Sequence, residues 1–168
     1  MTSREIALAC YGISEEDSEA TAEKRAEKST ATSKTFFETM EMTSNETWEM
    51  TDGNIPHIFF YQEYECDPIL QEGEPLERED GDDDDDDDMS RYHEWRDNIY
   101  ETRLKKAANW LLSRQSAIQK CHDLGLRPFI AIDTEVSGLD YFELPSHFIT
   151  ACGQANLPIR ISSREARY

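Results

Sequence analysis

The chain has 168 residues, with 36 Asp and Glu against 17 Lys and Arg, a formal charge of −19 and a hydrophobic fraction of 38%. That length suits one domain able to bury about two-thirds of its unfolded surface. An acidic balance this strong excludes a protein that grips nucleic acid by its phosphates or adheres to an anionic membrane, since both need clustered Lys and Arg.

No stretch approaches the ~20 apolar residues of a membrane span. Glu5–Tyr11 alternates Ile6, Leu8 and Cys10 with smaller residues and predicts a strand ending at Gly12. Ser14, with Asp17 three residues on, resembles a helix-capping arrangement. It opens an Ala/Glu/Lys-rich helical stretch to about Ser29 that lacks an apolar stripe. Thr35–Met42 and Glu46–Thr51 predict two strands, joined as a hairpin through Thr43-Ser44-Asn45, and Asp52-Gly53 marks a turn. His57–Tyr64 is aromatic and β-prone, a further strand.

From Ser90 to Leu124 the period turns helical. Tyr92, Trp95 and Ile99 form one stripe; Tyr100, Leu104, Ala108, Leu111, Gln115, Ile118 and His122 form a displaced second one. The phase shift predicts a bend near Ile99–Tyr100 or a helix buried on a wide face, and Gly125 supplies the stop. Arg127–Thr134 predicts a buried-type strand, and Ser146–Ala155 a short helix with Phe148, Ile149 and Cys152 inward. Pro158–Ser163 predicts a closing strand, parallel to its predecessor through a right-handed crossover. The expected fold class is α+β: one mixed β-sheet with a long helix and a C-terminal strand–helix–strand unit packed on it. Residues 1–168 form a single domain carrying an acidic low-complexity insertion at about 66–89.

The negative charge is concentrated. Residues 63–88 hold fifteen carboxylates against one base, Arg78, a local net of −14, whereas the other 142 residues carry 21 acids and 16 bases. Pro68, Gly73, Pro75 and Gly81 in that window oppose regular structure. Adjacent carboxylates in extended chain repel by about 0.6 kcal/mol in water before salt screening, so the run stretches out and stays solvated. Extended backbone advances about 3.3 Å per residue, close to the ~3.4 Å per charge of one nucleic-acid strand. The Asp82–Asp88 run therefore matches the charge density of a single-stranded backbone. Three uses remain open: a solubilising linker, a partner-facing acidic loop, and a weak cation sink. Leu76 and Arg78 break the ligand alternation before Gly81, so the segment is no calcium loop.

Few residues point to catalysis. Ile130–Leu139 (IAIDTEVSGL) resembles the first motif of the DEDD exonucleases, in which Asp-x-Glu at a strand end holds two metal ions; Asp133 and Glu135 fill those places. The remaining acids and the His or Tyr of that family lie farther downstream than the 33 residues left after Glu135. A strand running into a turn explains Asp133 and Gly138 without metal. His57, His93, His122 and His147 make no HExxH and no paired Cys/His spacing, so no metal or cofactor is expected. The four cysteines lie far apart with no CxxC, and Cys10 and Cys152 sit among apolar residues as buried thiols do. An oxidised pair stays open, although a reducing cytoplasm suits the pattern; Asn45-Glu46-Thr47 is a glycosylation sequon with meaning only in a secreted chain.

Several segments together resemble a group of small cytosolic bacterial immunity (antitoxin) proteins that neutralise polymorphic toxins. They are Trp48-Glu49-Met50-Thr51, the long helix ending Cys121-His122-Asp123-Leu124-Gly125, the apolar strand after it, Phe142-Glu143-Leu144-Pro145-Ser146, and Leu157-Pro158-Ile159-Arg160-Ile161. The resemblance covers about residues 35–62 and 95–163; the Asp-rich insertion and residues 14–34 depart from it. It implies an α+β fold and a binding role, with no residues to transfer.

The expected function is thus a cytoplasmic, non-enzymatic acidic inhibitor that occludes a basic toxin, a nuclease above all. Its contacts are expected from Glu77, Glu79, Asp80, Asp82, Asp83, Asp84, Asp85, Asp86, Asp87 and Asp88, with Tyr92 and Trp95 as aromatic anchors. Such aromatics more often form the core face of a helix. The partner is a basic protein, with neither direct nucleic acid nor membrane. Alternatives are a phage-type nucleic-acid mimic directed at a host defence complex, and a metal-dependent nuclease using Asp133 and Glu135.

Overall fold

The computed structural model describes residues 3–12, 22–42, 49–50, 55–63, 85–136 and 143–165. In chain order these form β1 (Ser3–Tyr11), α1 (Ala22–Thr39), β2 (Glu49–Met50), β3 (Pro56–Glu63), α2 (Asp85–Ser113), α3 (Gln115–Asp123), β4 (Arg127–Val136), α4 (Ser146–Gln154) and β5 (Ile159–Glu165). The strands build one mixed sheet in the order β2-β3-β1-β4-β5. Every pairing is antiparallel except β4–β5, which is parallel as a crossover through α4 requires. The fold is α+β.

β1 lies at the centre because its alternation offers a usable side chain to each face. Ile6 and Leu8 pair in register with Ile132 and Ile130 of β4, and with Tyr61 and Ile58 of β3. This row, with Cys10, meets the helix layer: Phe36 and Met40 of α1, Leu104, Ala108 and Leu111 of α2, Ile118 and Cys121 of α3, and Phe148, Ala151 and Cys152 of α4. The register slips by one between Ile6 and Ala7, leaving Phe60 as an extra residue on β3. Phe60 and Tyr61 then both reach the helices. Phe60 stands edge-on to Trp110 (5.7 Å) and Phe148 (6.3 Å), and Tyr61 edge-on to Tyr100 (4.9 Å). Gly12 follows β1 where a Cβ would collide with the Thr32 side chain of α1, so this close approach needs glycine.

Several expectations are corrected. Thr35–Met42 is no strand: Thr35–Thr39 is the last part of α1, and the expected hairpin through Thr43-Ser44-Asn45 is replaced by pairing of β2 with β3. The helix wins because Ser33, Phe36 and Met40 fall on one buried stripe. Serine serves there since the Ser33 hydroxyl donates to the Ser29 carbonyl at 2.9 Å. Helix α2 continues without a break through Ile99–Tyr100 and ends before Arg114, which shifts the stripe so that Gln115 is exposed while Ile118 and Cys121 are buried. Helix α2 also begins at Asp85 rather than Ser90, taking up the last four Asp of the run. In α4, Ile149 is 47% exposed and Ala151 takes the inward place.

Three helices end alike. The N–H of Met42, Leu126 and Leu157 donates back to the carbonyl of Phe37, Cys121 and Cys152, at 3.2, 2.9 and 2.9 Å. The residue before each closing N–H is left-handed: Glu41 (φ 54°), Gly125 (φ 77°) and Asn156 (φ 55°). Glu41 is the costly one, since a non-glycine residue pays about 1 kcal/mol or more there. Arg114 supports that turn from across the molecule. Its Nη1 donates to the Met40 carbonyl at 2.6 Å and the Glu41 carbonyl at 3.3 Å, and the guanidinium lies 5.4 Å from the Trp110 ring centre. Two outcomes are expected in urea denaturation at unchanged m-value. Arg114→Ala lowers stability by about 1–3 kcal/mol. Glu41→Gly raises it by about 1 kcal/mol, because its exposed ion pair with Arg114 contributes little.

Candidate partner-binding surfaces

Two surfaces distinguish the molecule. The first is the start of α2. Asp85, Asp86, Asp87 and Asp88 are the first four residues of this helix, the end at which a helix dipole favours negative charge. Glu77, Glu79, Asp80, Asp82, Asp83 and Asp84 lie outside the described residues. Tyr92 and Trp95 belong to α2, at positions 88, 92, 95 and 99 along one helical stripe. The acids and the two aromatics therefore share an element, and the charge leads directly into it.

The second surface was not foreseen. All four helices contribute to one core on one side of the sheet, and no described helix covers the other. Ala7, Ala9 and Phe129 are buried there, apart from that core. The cross-strand register builds this face row by row: His57–Ala9–Phe129, then Phe59–Ala7–Ala131–Arg160, then Gln62–Glu5–Asp133–Ser162. Ala7 and Ala131 line a trough of about 660 Å³ between two aromatic walls. On one side the rings of His57 and Phe59 stack at 5.6 Å; on the other Tyr11 and Phe129 stack at 4.7 Å. The Arg160 guanidinium caps the second wall, 4.9 Å from the Tyr11 ring centre and 4.8 Å from that of Phe129. Arg127–Thr134 reads in sequence as an apolar run, which implies cover on both faces, and on this face Ala7, Ala9 and Phe129 are indeed buried.

Asp133 and Glu135 alternate onto this same face, away from Ile132 and Thr134. Ser162 donates to Asp133 Oδ1 at 3.2 Å. Among the described residues no three His, Cys, Asp or Glu side chains converge as a metal ion would require. A polar cleft of about 770 Å³ lies where Arg4, Arg96 and Tyr100 meet the start of α4; there the Tyr100 hydroxyl donates to the Glu143 carbonyl at 3.0 Å and Arg4 lies 5.0 Å from the Tyr100 ring centre. No described helix is long and apolar enough to cross a membrane.

Cys10, Cys121 and Cys152 are buried free thiols, and Cys66 lies outside the described residues. Burial pushes Cys10 up to about 12, with Cys121 beside it adding to the rise, and pushes Cys121 and Cys152 up to about 11. Such thiols stay protonated and are poor nucleophiles. Comparison with protein-family models, curated proteins and solved structures finds no match for this chain.

Because the folded values lie above the ordinary 9.0, the thiols' contribution to stability is complete below pH 9 and is lost as pH rises towards 11–12. Unfolding monitored from pH 8 to 10.5 is expected to show this decline, less steep in Cys10→Ala. Iodoacetamide at pH 8 is expected to spare all three thiols until the chain unfolds, as peptide mass mapping will show.

Proposed function

We propose that the protein is a non-enzymatic acidic inhibitor that binds a basic protein and covers the surface that protein uses for phosphate-bearing ligands. The observation that carries this reading is the segregation of charge: a net of −14 within residues 63–88, running without interruption into the first turn of α2. A dense run of carboxylates competes with phosphates for the same cationic groove, and its field steers the encounter. Asp85–Asp88 stand in helix, which spaces successive residues by about 1.5 Å along its axis. The highest charge density therefore adjoins a rigid element, which lowers the ordering cost of binding. Resemblance to immunity proteins supports a toxin, and a nuclease in particular, as the basic partner, in a cytoplasmic setting.

The test is a substitution series with a salt titration. Protein carrying a tag is used to isolate its partner at low salt, and affinity is then measured at rising ionic strength. Replacing Asp82–Asp88 by Ser and Gly is expected to weaken binding at least tenfold at low salt and to flatten its salt dependence, chiefly through slower association. Unchanged affinity and salt slope would overturn the reading. Cleavage of labelled single-stranded DNA or RNA with Mg²⁺ or Mn²⁺, lost in Asp133→Asn, would replace it with a metal-dependent nuclease.

A further inference from the structure

We propose that the outer edge of β5 pairs with the same edge of a second copy of this chain. The two strands run antiparallel about a two-fold axis through Ile161 and join two five-stranded sheets into one. This association is independent of the inhibitor reading and uses a different part of the molecule.

The two edges of the sheet are unlike. β2 has two residues, whereas β5 has seven in unbroken register with β4. Among the described residues no strand pairs with the outer edge of β5. The Ile130 N–H donates to the Pro158 carbonyl at 2.9 Å, so position 158 turns its backbone towards β4. By strand alternation Ile159, Ile161 and Ser163 turn theirs outward. Natural edges are guarded by a proline, a bulge or an outward charge. β5 contains neither proline nor bulge, and Arg160 is folded back over the Tyr11 and Phe129 rings at 4.9 and 4.8 Å.

The side chains along this edge suit a copy of themselves. Ile161 is the register partner of Ile132 on the helix side, yet it is 61% exposed while Ile132 is buried. Helix α4 lies over the two strands it joins, with Phe148 turned inward to Phe60 and Ala151 buried. Ile149 is about 100° around the helix from Phe148, away from Ala151, and so faces the β5 edge. It too is exposed. With the axis at Ile161 the two Ile161 side chains meet directly, Ile159 stands opposite Ser163, and Arg160 stands opposite Ser162. The outward N–H and C=O groups of Ile159, Ile161 and Ser163 then all find partners. Moving the axis to Arg160 sets that residue against itself, and moving it to Ser162 sets it against Arg164, like charges opposed in both registers. Strands about 4.8 Å apart also bring the two α4 helices to roughly 10 Å, an ordinary packing distance.

The placement of charge permits this pairing. Glu63, where the acidic segment leaves β3, stands in the row Glu63–Arg4–Thr134–Ser163, towards the C-terminal end of β5. An antiparallel pair sets that end of one copy beside the opposite end of the other. The two segments, each with a net of −14, therefore depart from opposite ends of the joined sheet. Salt screens the repulsion that remains, the reverse of its effect on binding to a cationic partner.

The test is sedimentation equilibrium of the full chain over about a hundredfold range of concentration at low and high salt, with amide exchange followed by NMR. A monomer–dimer equilibrium that moves towards dimer as salt rises is expected. Amides of Ile161 and Ser163 are expected to exchange more slowly as concentration rises, while those of Arg160 and Ser162, turned towards β4, keep their rates. Ile161→Lys, at an exposed site and with every bond to β4 left in place, is expected to weaken dimerisation by about tenfold or more. Ile161→Pro, which removes an outward N–H, is expected to do the same. Replacing Asp82–Asp88 by Ser and Gly is expected to strengthen the dimer at low salt, opposite to its effect on a basic partner. A monomer at every concentration and salt, or a dimer indifferent to Ile161→Lys, would overturn the proposal and leave the inhibitor reading standing. Protection of Ile161 and Ser163 that appears only on adding the isolated basic partner would overturn the choice of a second copy.

Discussion

The structure depends on β1 being hydrogen-bonded along both edges and filled on both faces. Its two neighbours, β3 and β4, run antiparallel to it, and the strongest side-chain rows in the sheet pass through Ile6 and Leu8. On the helix side these residues are fully buried among elements drawn from the whole described chain. On the other side Ala7 and Ala9 are equally inaccessible, but they are too small to build a second layer. One strand thus sets both the solid side of the molecule and the hollow one.

The same division organises charge. Outside residues 63–88 the chain is only modestly acidic, and the helix layer is held by aromatic contacts and by Arg114 bridging two helices. Among the described residues the acids of this stretch enter the fold at Glu63, which ends β3, and at Asp85–Asp88, which open α2, a helix end where backbone dipoles favour negative charge. A strongly charged surface and an ordinary apolar interior are compatible here because they meet at a helix end.

Much of this was legible in the amino-acid order. Strands at Glu5–Tyr11, His57–Tyr64 and Arg127–Thr134, and the parallel unit through α4, follow from alternation, β-branching and the turn at Gly125. What was hidden depended on partners distant in sequence. Ser33 disguises the apolar stripe of α1, so the aromatic and threonine-rich run after it reads as a strand. The break at Arg114 is tied to carbonyls of Met40 and Glu41 on another helix, which no local period reveals. The bulge at Phe60 and the trough both arise from register, which becomes fixed only once strands pair. Asp85–Asp88 were anticipated as acids but not as helix.

Sheet order and chain order disagree at one place, and the disagreement bears on assembly. Sheet neighbours β3 and β4 flank β1, yet β4 follows it only after three helices and the entire acidic stretch. During synthesis β1 can zip to β3 first, leaving its other margin of N–H and C=O groups open while the ribosome makes more than sixty further residues. The polyanionic stretch emerges within that interval, immediately behind the exposed margin. Mutual repulsion between nascent copies would oppose the pairing of such margins.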